Sequence, residues 1–392
     1  MAKLLDAALN GQGRYDEKGY FFKGPLYARY AWPAEEVDIG PAPLSNWSFP
    51  ASFAGGVDAA LEGRRAFRGK AYFFKGDQYI RYDWSGDRID AGYPQPLSAW
   101  KLPAPFSSGI DAALNGAESF ERYCYFFKGD QYIAYDWETD AVAGEVKKLD
   151  DWNLPATFAK GIDTAILGYG AYRGKAYFFK GEQYCRYNWT SNRCEAPTSL
   201  VLWNLPWAIT IAPRASWGPR APITGDPKRS YERYTGKLED ILDSIVVHHS
   251  GNDDHHTMKA VQDLHMDKKD RADIAYHYGI DLQGNIYEGR DIAVKGAHVA
   301  GANTGKIGIV FLADLQTGGP LLDFSSDDTL NGRMEASLLR LIRHLMAKYP
   351  KIKYLGGHGE FAAGQGDERQ CPGDRTMVKM DGWRTATNLI KP

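Results

Sequence analysis

The sequence predicts two domains of different fold class: a four-bladed all-β propeller, then an α/β domain whose mixed central sheet is flanked by helices. Two observations lead to this prediction. The first half of the 392-residue chain contains four copies of one aromatic-rich phrase, and the second half alternates strand-like runs with helix-like periods. We therefore expect the propeller over residues 1–205 and the α/β domain over residues 206–392.

The four copies are almost evenly spaced. The tetrapeptide Phe-Phe-Lys-Gly begins at Phe21, Phe73, Phe126 and Phe178, with offsets of 52, 53 and 52 residues. Short aromatic strands separated by turns, at a period of about 50 residues, are typical of propeller blades. The sequence thus predicts one blade per copy, near residues 1–50, 51–103, 104–155 and 156–205.

One aspartate in each copy keeps the same offsets, at Asp6, Asp58, Asp111 and Asp163. The first strand of a blade lines the central channel, so these residues should meet around the axis. The repeats resemble hemopexin-type repeats, which implies an axial Ca²⁺ or Na⁺ held by backbone carbonyls, with local hydrogen bonds for the aspartates. The alternative is that the aspartates are only turn or capping groups. The family's disulfide between the first and last blades is missing, so ring closure should rest on packing.

The composition argues against nucleic acid as a partner and against a membrane-spanning segment. The net charge is −2 and 24% of residues are charged, which gives no basis for bulk attraction to nucleic acid. There is no run of about 18 apolar residues to span a bilayer, and we expect no secretory signal peptide. Four cysteines are too few for a disulfide scaffold. For Cys185 and Cys194, two free thiols are favoured over a hairpin disulfide.

The second domain contains helical and strand patterns in alternation. Apolar residues at helical spacing predict helices over 255–268 and 333–349. Residues 275–280 and 285–290 predict a hairpin. His265 lies on the first of these helices, and without further information it is only a half-buried helix residue.

A β-branched run from Ser244 leads to His248 and His249, which predicts a buried strand that ends at a site. Because neighbouring strand side chains point to opposite faces, only one of the two histidines can face a ligand. Further along the chain lie His358 and Cys371. Two histidines and one cysteine suit a catalytic zinc site with an open fourth position. A histidine at a strand end is more often a packing residue, so spacing alone leaves the assignment open.

Several blocks of the second half support the metal site because they occur in a characteristic order. They are Arg214–Gly218, Val246–His249, Ala272–Tyr278, Gly284–Arg290, Gly296–His298, Ile307–Ile309, Gly357–His358 and Cys371–Gly373. In this order they resemble the type 2 N-acetylmuramoyl-L-alanine amidases and the related peptidoglycan recognition proteins.

The resemblance implies zinc ligands at His248, His358 and Cys371 and a catalytic tyrosine at Tyr276. The family places a basic residue two positions before the last ligand. Here that residue is Arg369, which can stabilise an oxyanion but cannot act as a base.

Substrate binding is assigned to three further residues, His298, Asn303 and His249. The bond cleaved, by resemblance, joins N-acetylmuramic acid to L-alanine of the stem peptide. Zinc would polarise the amide carbonyl and activate water, and Tyr276 would hydrogen-bond that water or the developing oxyanion.

Two other functions remain open. One is a peptidoglycan-binding protein without activity, although such family members typically lack the cysteine ligand. The other is a propeller-centred protein that binds a cation, polyamine, haem or surface partner and carries the amidase as cargo.

The expected substrate lies outside the cytoplasmic membrane, whereas the chain is expected to be made in the cytoplasm without a signal peptide. We therefore expect it to act at the periplasm or cell wall of a target cell. The propeller could dock to a secretion-machine component that delivers an antibacterial effector, which would also imply an immunity protein. A phage lysin or a cytoplasmic recycling enzyme is the alternative.

Overall fold

The computed structural model describes residues 3–251, 256–316, 328–362 and 371–392. The chain divides into two compact units, Met1–Ala208 and Ile209–Pro392. The boundary predicted from sequence lies between residues 205 and 206. Among the described residues, every helix is too short or too polar to cross a membrane.

The first unit consists of four antiparallel sheets, one per repeat. Blade 1 comprises β1 (Ala7–Asn10), β2 (Lys18–Lys23), β3 (Leu26–Ala31) and β4 (Glu36–Pro43). Blade 2 comprises β5 (Ala59–Glu62), β6 (Lys70–Lys75), β7 (Gln78–Asp83), β8 (Arg88–Ile89) and β9 (Gln95–Pro96). Blade 3 comprises β10 (Ala112–Asn115), β11 (Tyr123–Lys128), β12 (Gln131–Asp136) and β13 (Ala141–Lys148). Blade 4 comprises β14 (Thr164–Leu167), β15 (Lys175–Lys180), β16 (Gln183–Asn188), β17 (Arg193–Cys194) and β18 (Thr198–Ser199).

The repeated Phe-Phe pair forms the interface between neighbouring blades. The second ring of each pair contacts the first ring of the next pair, with ring centroids 5.5 to 5.9 Å apart. Phe179 of the last blade contacts Phe21 of the first at 5.8 Å, so aromatic packing closes the ring. All four cysteines have free thiols, including Cys185 and Cys194.

The second unit is an α/β domain with a five-stranded mixed sheet in the order β21-β20-β22-β19-β23. Its strands are β19 (Ser244–His249), β20 (Tyr278–Ile280), β21 (Ile286–Glu288), β22 (Lys306–Phe311) and β23 (Tyr354–Gly357). Its helices are α1 (Leu238–Ile241), α2 (Met258–Lys268), α3 (Gly332–Lys348), α4 (His358–Phe361), α5 (Asp374–Met377) and α6 (Met380–Thr387). Strands β19, β20, β22 and β23 are parallel where they pair, and β21 is antiparallel to β20.

The predicted hairpin is present, but its first strand is shorter than expected. β20 begins at Tyr278, whereas the alternation of side chains predicted a start at Ala275. The backbone before β20 is bound elsewhere: Ala275 N donates to His265 Nδ1 at 3.0 Å, and His277 N donates to Gly308 O at 2.9 Å. This segment is therefore held by helix α2 through Ala275 and by strand β22 through His277.

Candidate metal centre and active site

Two histidines lie side by side at the carboxyl edge of the sheet. β19 and β23 run parallel, with Val247 opposite Gly357. His248 directly follows Val247 and His358 directly follows Gly357, so the two histidines are neighbours. His248 is 1% exposed and His358 is 6% exposed. The carboxyl edge of parallel strands is the usual place for ligand sites in α/β folds.

Cys371 completes a cluster with these histidines. The possible ligand atoms of His248, His358 and Cys371 all lie within 4.8 Å of one another. Cys371 Sγ is 3.5 Å from His248 Nδ1. The cysteine segment approaches this closely because residue 357 is glycine, where a Cβ would lie 2.6 Å from Pro372 Cδ.

The donor set fits a zinc ion. Burial, followed by the neighbouring imidazoles, lowers the pKa of His248 well below its ordinary value, so the ring is neutral and offers a lone pair. Two imidazole nitrogens and one thiolate leave the fourth tetrahedral position open. Within the described parts of the chain, no other group of His, Cys, Asp and Glu is close enough to hold a metal ion.

His298 holds the ring of His248 in place. His248 Nε2 lies 3.0 Å from His298 Nδ1, while His248 Nδ1 faces Cys371. A hydrogen bond of this kind orients a metal-binding imidazole. His298 fits there because residues 296 and 308 are glycines, where a Cβ would come within 2.5 and 2.6 Å of His298 Cδ2. Its substrate contact stays a prediction.

Tyr276 lies beside the cluster, with its ring centroid 4.8 Å from that of His248. Its carbonyl accepts the N–H of Arg290 at 2.8 Å. His265 accepts the N–H of Ala275 at 3.0 Å and has its ring 5.3 Å from Tyr276. His265 therefore positions the tyrosine segment, a role that its helical spacing did not reveal.

A buried ion pair also supports this segment. Asp273 is 0% exposed and accepts hydrogen bonds from Arg214 Nη2 at 2.8 Å and from Gln262 Nε2 at 2.7 Å. Sequence reasoning did not assign Asp273 or Arg214 a role. The sequence did contain a signal for them, because both residues lie in the blocks that resemble the amidase family. Asp273 lies three residues before Tyr276.

The remaining predicted site residues are placed differently. His249 faces away from the cluster and its Nδ1 accepts the N–H of Leu315 at 3.1 Å. The Asn303 amide oxygen accepts the backbone N–H of His298 and of the next residue, both at 2.8 Å. Each side chain thus stabilises a loop rather than presenting these atoms to a substrate. Arg369 lies outside the described residues.

The four propeller aspartates bind locally. Each carboxylate accepts the N–H of the glycine that ends Phe-Phe-Lys-Gly in its own blade, at 2.6 to 2.8 Å. They do not converge into a metal-binding group in the described chain, so a direct role as axial-ion ligands is not supported. The four residues are Asp6, Asp58, Asp111 and Asp163. An axial ion held by backbone carbonyls stays a prediction.

Comparison with known proteins assigns both units. Residues 238–374 match the family model for N-acetylmuramoyl-L-alanine amidase, and residues 57–104 match the hemopexin family model. The chain joins a hemopexin-type propeller to an amidase-like domain. The range matched by the amidase model contains all three members of the metal cluster, and the hemopexin match falls on blade 2 of the propeller.

Individual relatives match either part of the chain at modest identity. Peptidoglycan-recognition protein SC2 of Drosophila simulans is 34% identical over 116 residues, which are 28% of this chain and 58% of that protein. Neutrophil collagenase of Homo sapiens is 32% identical over 120 residues, 30% of this chain and 22% of the collagenase. The chain thus spans only part of these relatives. The structure of Drosophila PGRP-LB is 26% identical with a TM-score of 0.36, covering 47% of this chain and 99% of that one.

Proposed function

We propose that the amidase-like domain is a zinc-dependent peptidoglycan hydrolase that cleaves the amide between N-acetylmuramic acid and L-alanine of the stem peptide. The proposal rests on one observation, the buried cluster of His248, His358 and Cys371 with Tyr276 beside it. The cysteine favours hydrolysis over simple recognition, because relatives without activity typically lack this ligand.

The residues of the domain have distinct roles in this proposal. Bound zinc, held by His248, His358 and Cys371, would polarise the scissile carbonyl and acidify water. The Tyr276 hydroxyl would donate a hydrogen bond to the oxygen on which negative charge develops. His298 would keep the His248 ring fixed through the 3.0 Å contact between their nitrogens. Burial of both histidines limits access of bulk water and strengthens these interactions.

Product analysis tests the proposal. The purified chain would be incubated with insoluble peptidoglycan, and the released material would be analysed by mass spectrometry. We expect stem peptides with a free L-alanine N terminus and glycan strands without peptide, and about one zinc per chain by elemental analysis. Sedimentation with peptidoglycan without any new amino terminus would identify a recognition protein and contradict the hydrolase.

We also propose that the propeller directs the enzyme to the wall of a target cell, as part of an antibacterial effector or a lysin. Support comes from the division into two units, each with its own core, of which only the second contains the metal cluster. Expression with and without an added periplasmic export signal tests this. Toxicity only after export is expected, and equal toxicity in the cytoplasm would contradict a cell-wall target.

A further inference from the structure

A cavity of about 730 Å³ lies in the propeller, lined by the turns that follow the four inner strands and by the last residue of three of these strands. Each inner strand contacts the inner strands of its two neighbouring blades, which arranges the blades as a ring with blade 2 opposite blade 4. The aspartates described above lie at the start of these strands, so the cavity lies at the other end of the channel. It is wide enough for a small peptide.

The lining residues differ between repeats that are otherwise closely alike. Phe-Phe-Lys-Gly occurs unchanged in all four blades, and its two rings form the interfaces between blades. The position occupied by Gln12 in blade 1 is Arg64 in blade 2, and the position of Asp16 is Arg68 in blade 2 and Arg173 in blade 4. The fold therefore does not dictate these residues, and their chemistry can serve a ligand.

Three arginine side chains of the cavity have no hydrogen-bond or ion-pair partner in the described part of the chain. Gln12 donates to Gly63 O at 3.0 Å and accepts the N–H of Gly69 at 2.6 Å, so blade 1 uses this position for packing. In contrast, the guanidinium groups of Arg64, Arg68 and Arg173 make no hydrogen bond or ion pair with any residue that the structure describes. Guanidinium groups that converge in a concave site attract carboxylates and bind them through paired hydrogen bonds.

Acidic groups alternate with these cations around the ring. Asp16 of blade 1 and Glu118 of blade 3 line the same cavity, between the arginines of blades 2 and 4. Neither carboxylate forms an ion pair with a described residue. Glu62 is different, because it is 9% exposed and accepts the side-chain N–H of Asn115 at 3.0 Å. A ligand in this cavity would meet both free cations and free carboxylates.

We propose that this cavity binds the free peptide stem of peptidoglycan, as a second site separate from the metal cluster. The free stem peptide L-Ala-γ-D-Glu-L-Lys-D-Ala carries two carboxylates and two amines on one short chain, which matches the cations and carboxylates that alternate around the cavity. The arginines Arg64, Arg68 and Arg173 bind its carboxylates, and Glu118 or Asp16 binds an amine. The choice of a wall peptide rests on the proposed function of the amidase-like domain.

Calorimetric titration of the full chain with synthetic L-Ala-γ-D-Glu-L-Lys-D-Ala tests the proposal. Replacing Arg64, Arg68 and Arg173 together by alanine should weaken binding at least about tenfold and flatten its salt dependence, since charged hydrogen bonds are lost. The matched control replaces Arg88, Lys147 and Arg193, three exposed propeller cations outside the cavity. It removes the same charge and should change affinity by less than about twofold.

Two further measurements identify the ligand class and separate this proposal from the proposed function. Tripolyphosphate should bind more weakly than the peptide, since it has no amine for Glu118. Equal peptide binding by the triple-arginine variant and the wild type, or tighter binding of tripolyphosphate, would overturn the assignment. Cleavage of a small N-acetylmuramoyl peptide is measured on the same variants and should be unchanged. If the wild type binds the peptide but cleaves no amide, and the triple-arginine variant loses the binding, the hydrolase is refuted and the peptide site in the propeller is retained.

Discussion

The propeller and the amidase-like domain stabilise their structures in different ways. The propeller repeats one aromatic interface four times, with a separate buried cluster between each pair of neighbouring blades. The amidase-like domain has one main core around a mixed sheet, and its candidate site joins residues more than a hundred positions apart. Once one interface of the propeller is known, the other three follow from the repeat, whereas the metal cluster depends on the register of the whole sheet. Because each unit has its own core, a substitution in one unit should leave the stability and activity of the other unchanged.

The largest effect is expected from Cys371→Ser. Two remaining ligands hold zinc poorly, so metal and activity should be lost together, with amide cleavage falling about a thousandfold or more, equivalent to ~4 kcal/mol. Elemental analysis and cleavage assays measure both. Cys194→Ser, at a free thiol of the propeller, is the matched control and should keep both. A Cys371→Ser protein with full zinc and activity would require another ligand.

Trp152→Ala should destabilise the propeller alone. Trp152 is 5% exposed and packs against Tyr125 and Phe178 with ring centroids 4.8 and 5.5 Å away. Removing a buried indole costs about 3 to 5 kcal/mol. Denaturation monitored by tryptophan fluorescence measures this, with Leu202→Ala, at a side chain that is 64% exposed, as the control. Cleavage of a small substrate should be unchanged, and a parallel loss would show that the units are energetically coupled.

Acid should destabilise the amidase-like domain before the propeller, since all nine histidines lie after residue 208. Burial lowers the pKa of His277 to about 4 from an ordinary 6.5. Between these values the unfolded chain binds a proton that the folded domain does not, so stability present above pH 6.5 falls as the pH drops to about 4. The loss is about 3 kcal/mol.

Urea denaturation of each unit across this pH range measures the effect. His277→Gln should reduce the slope in the amidase-like domain and leave that of the propeller unchanged. The ring donates to Val294 O and accepts the N–H of Gly308, both at 3.0 Å, so this variant is also less stable at neutral pH. A slope that is identical in wild type and variant would assign the acid sensitivity to other groups.

Tyr276→Phe should retain zinc and lose about a hundredfold in cleavage rate, ~3 kcal/mol, because one transition-state hydrogen bond is removed. Tyr287→Phe is the matched control. Its hydroxyl donates to Asp281 at 2.9 Å, and we expect normal cleavage. Zinc content and steady-state rates distinguish this outcome from ligand loss. Unchanged activity in Tyr276→Phe would exclude the tyrosine from the reaction.

The smallest effect is expected from Asp58→Ala in the propeller. The variant removes the acceptor of the Gly76 N–H at 2.8 Å, which costs ~1 kcal/mol. Because the carboxylate caps a turn, the loss should be the same with and without added Ca²⁺ in thermal unfolding. A loss that increases with Ca²⁺ would indicate that the carboxylate contributes to an axial ion site.

Much of the fold could be predicted because it depends on local pattern. The spacing of Phe-Phe-Lys-Gly predicted four blades, and strand alternation predicted that His248 and His249 face opposite ways. Helix α3 was also expected within one residue at each end, since its apolar side chains recur at helical spacing. In each case the determining interaction lies within a few residues or repeats regularly along the chain.

The sequence by itself determined the blade number, the two-domain order and the identity of the three candidate zinc ligands through their family-like blocks. Only the tertiary structure decided how these parts meet. The parallel register of β19 and β23 places His248 beside His358, and His298 proves to hold the His248 ring. The tertiary structure also decided that the arginines of the cavity form no ion pair with a described residue, because that depends on which side chains the neighbouring blades place beside them. Contacts between distant segments follow from packing of the whole domain, which no local pattern encodes.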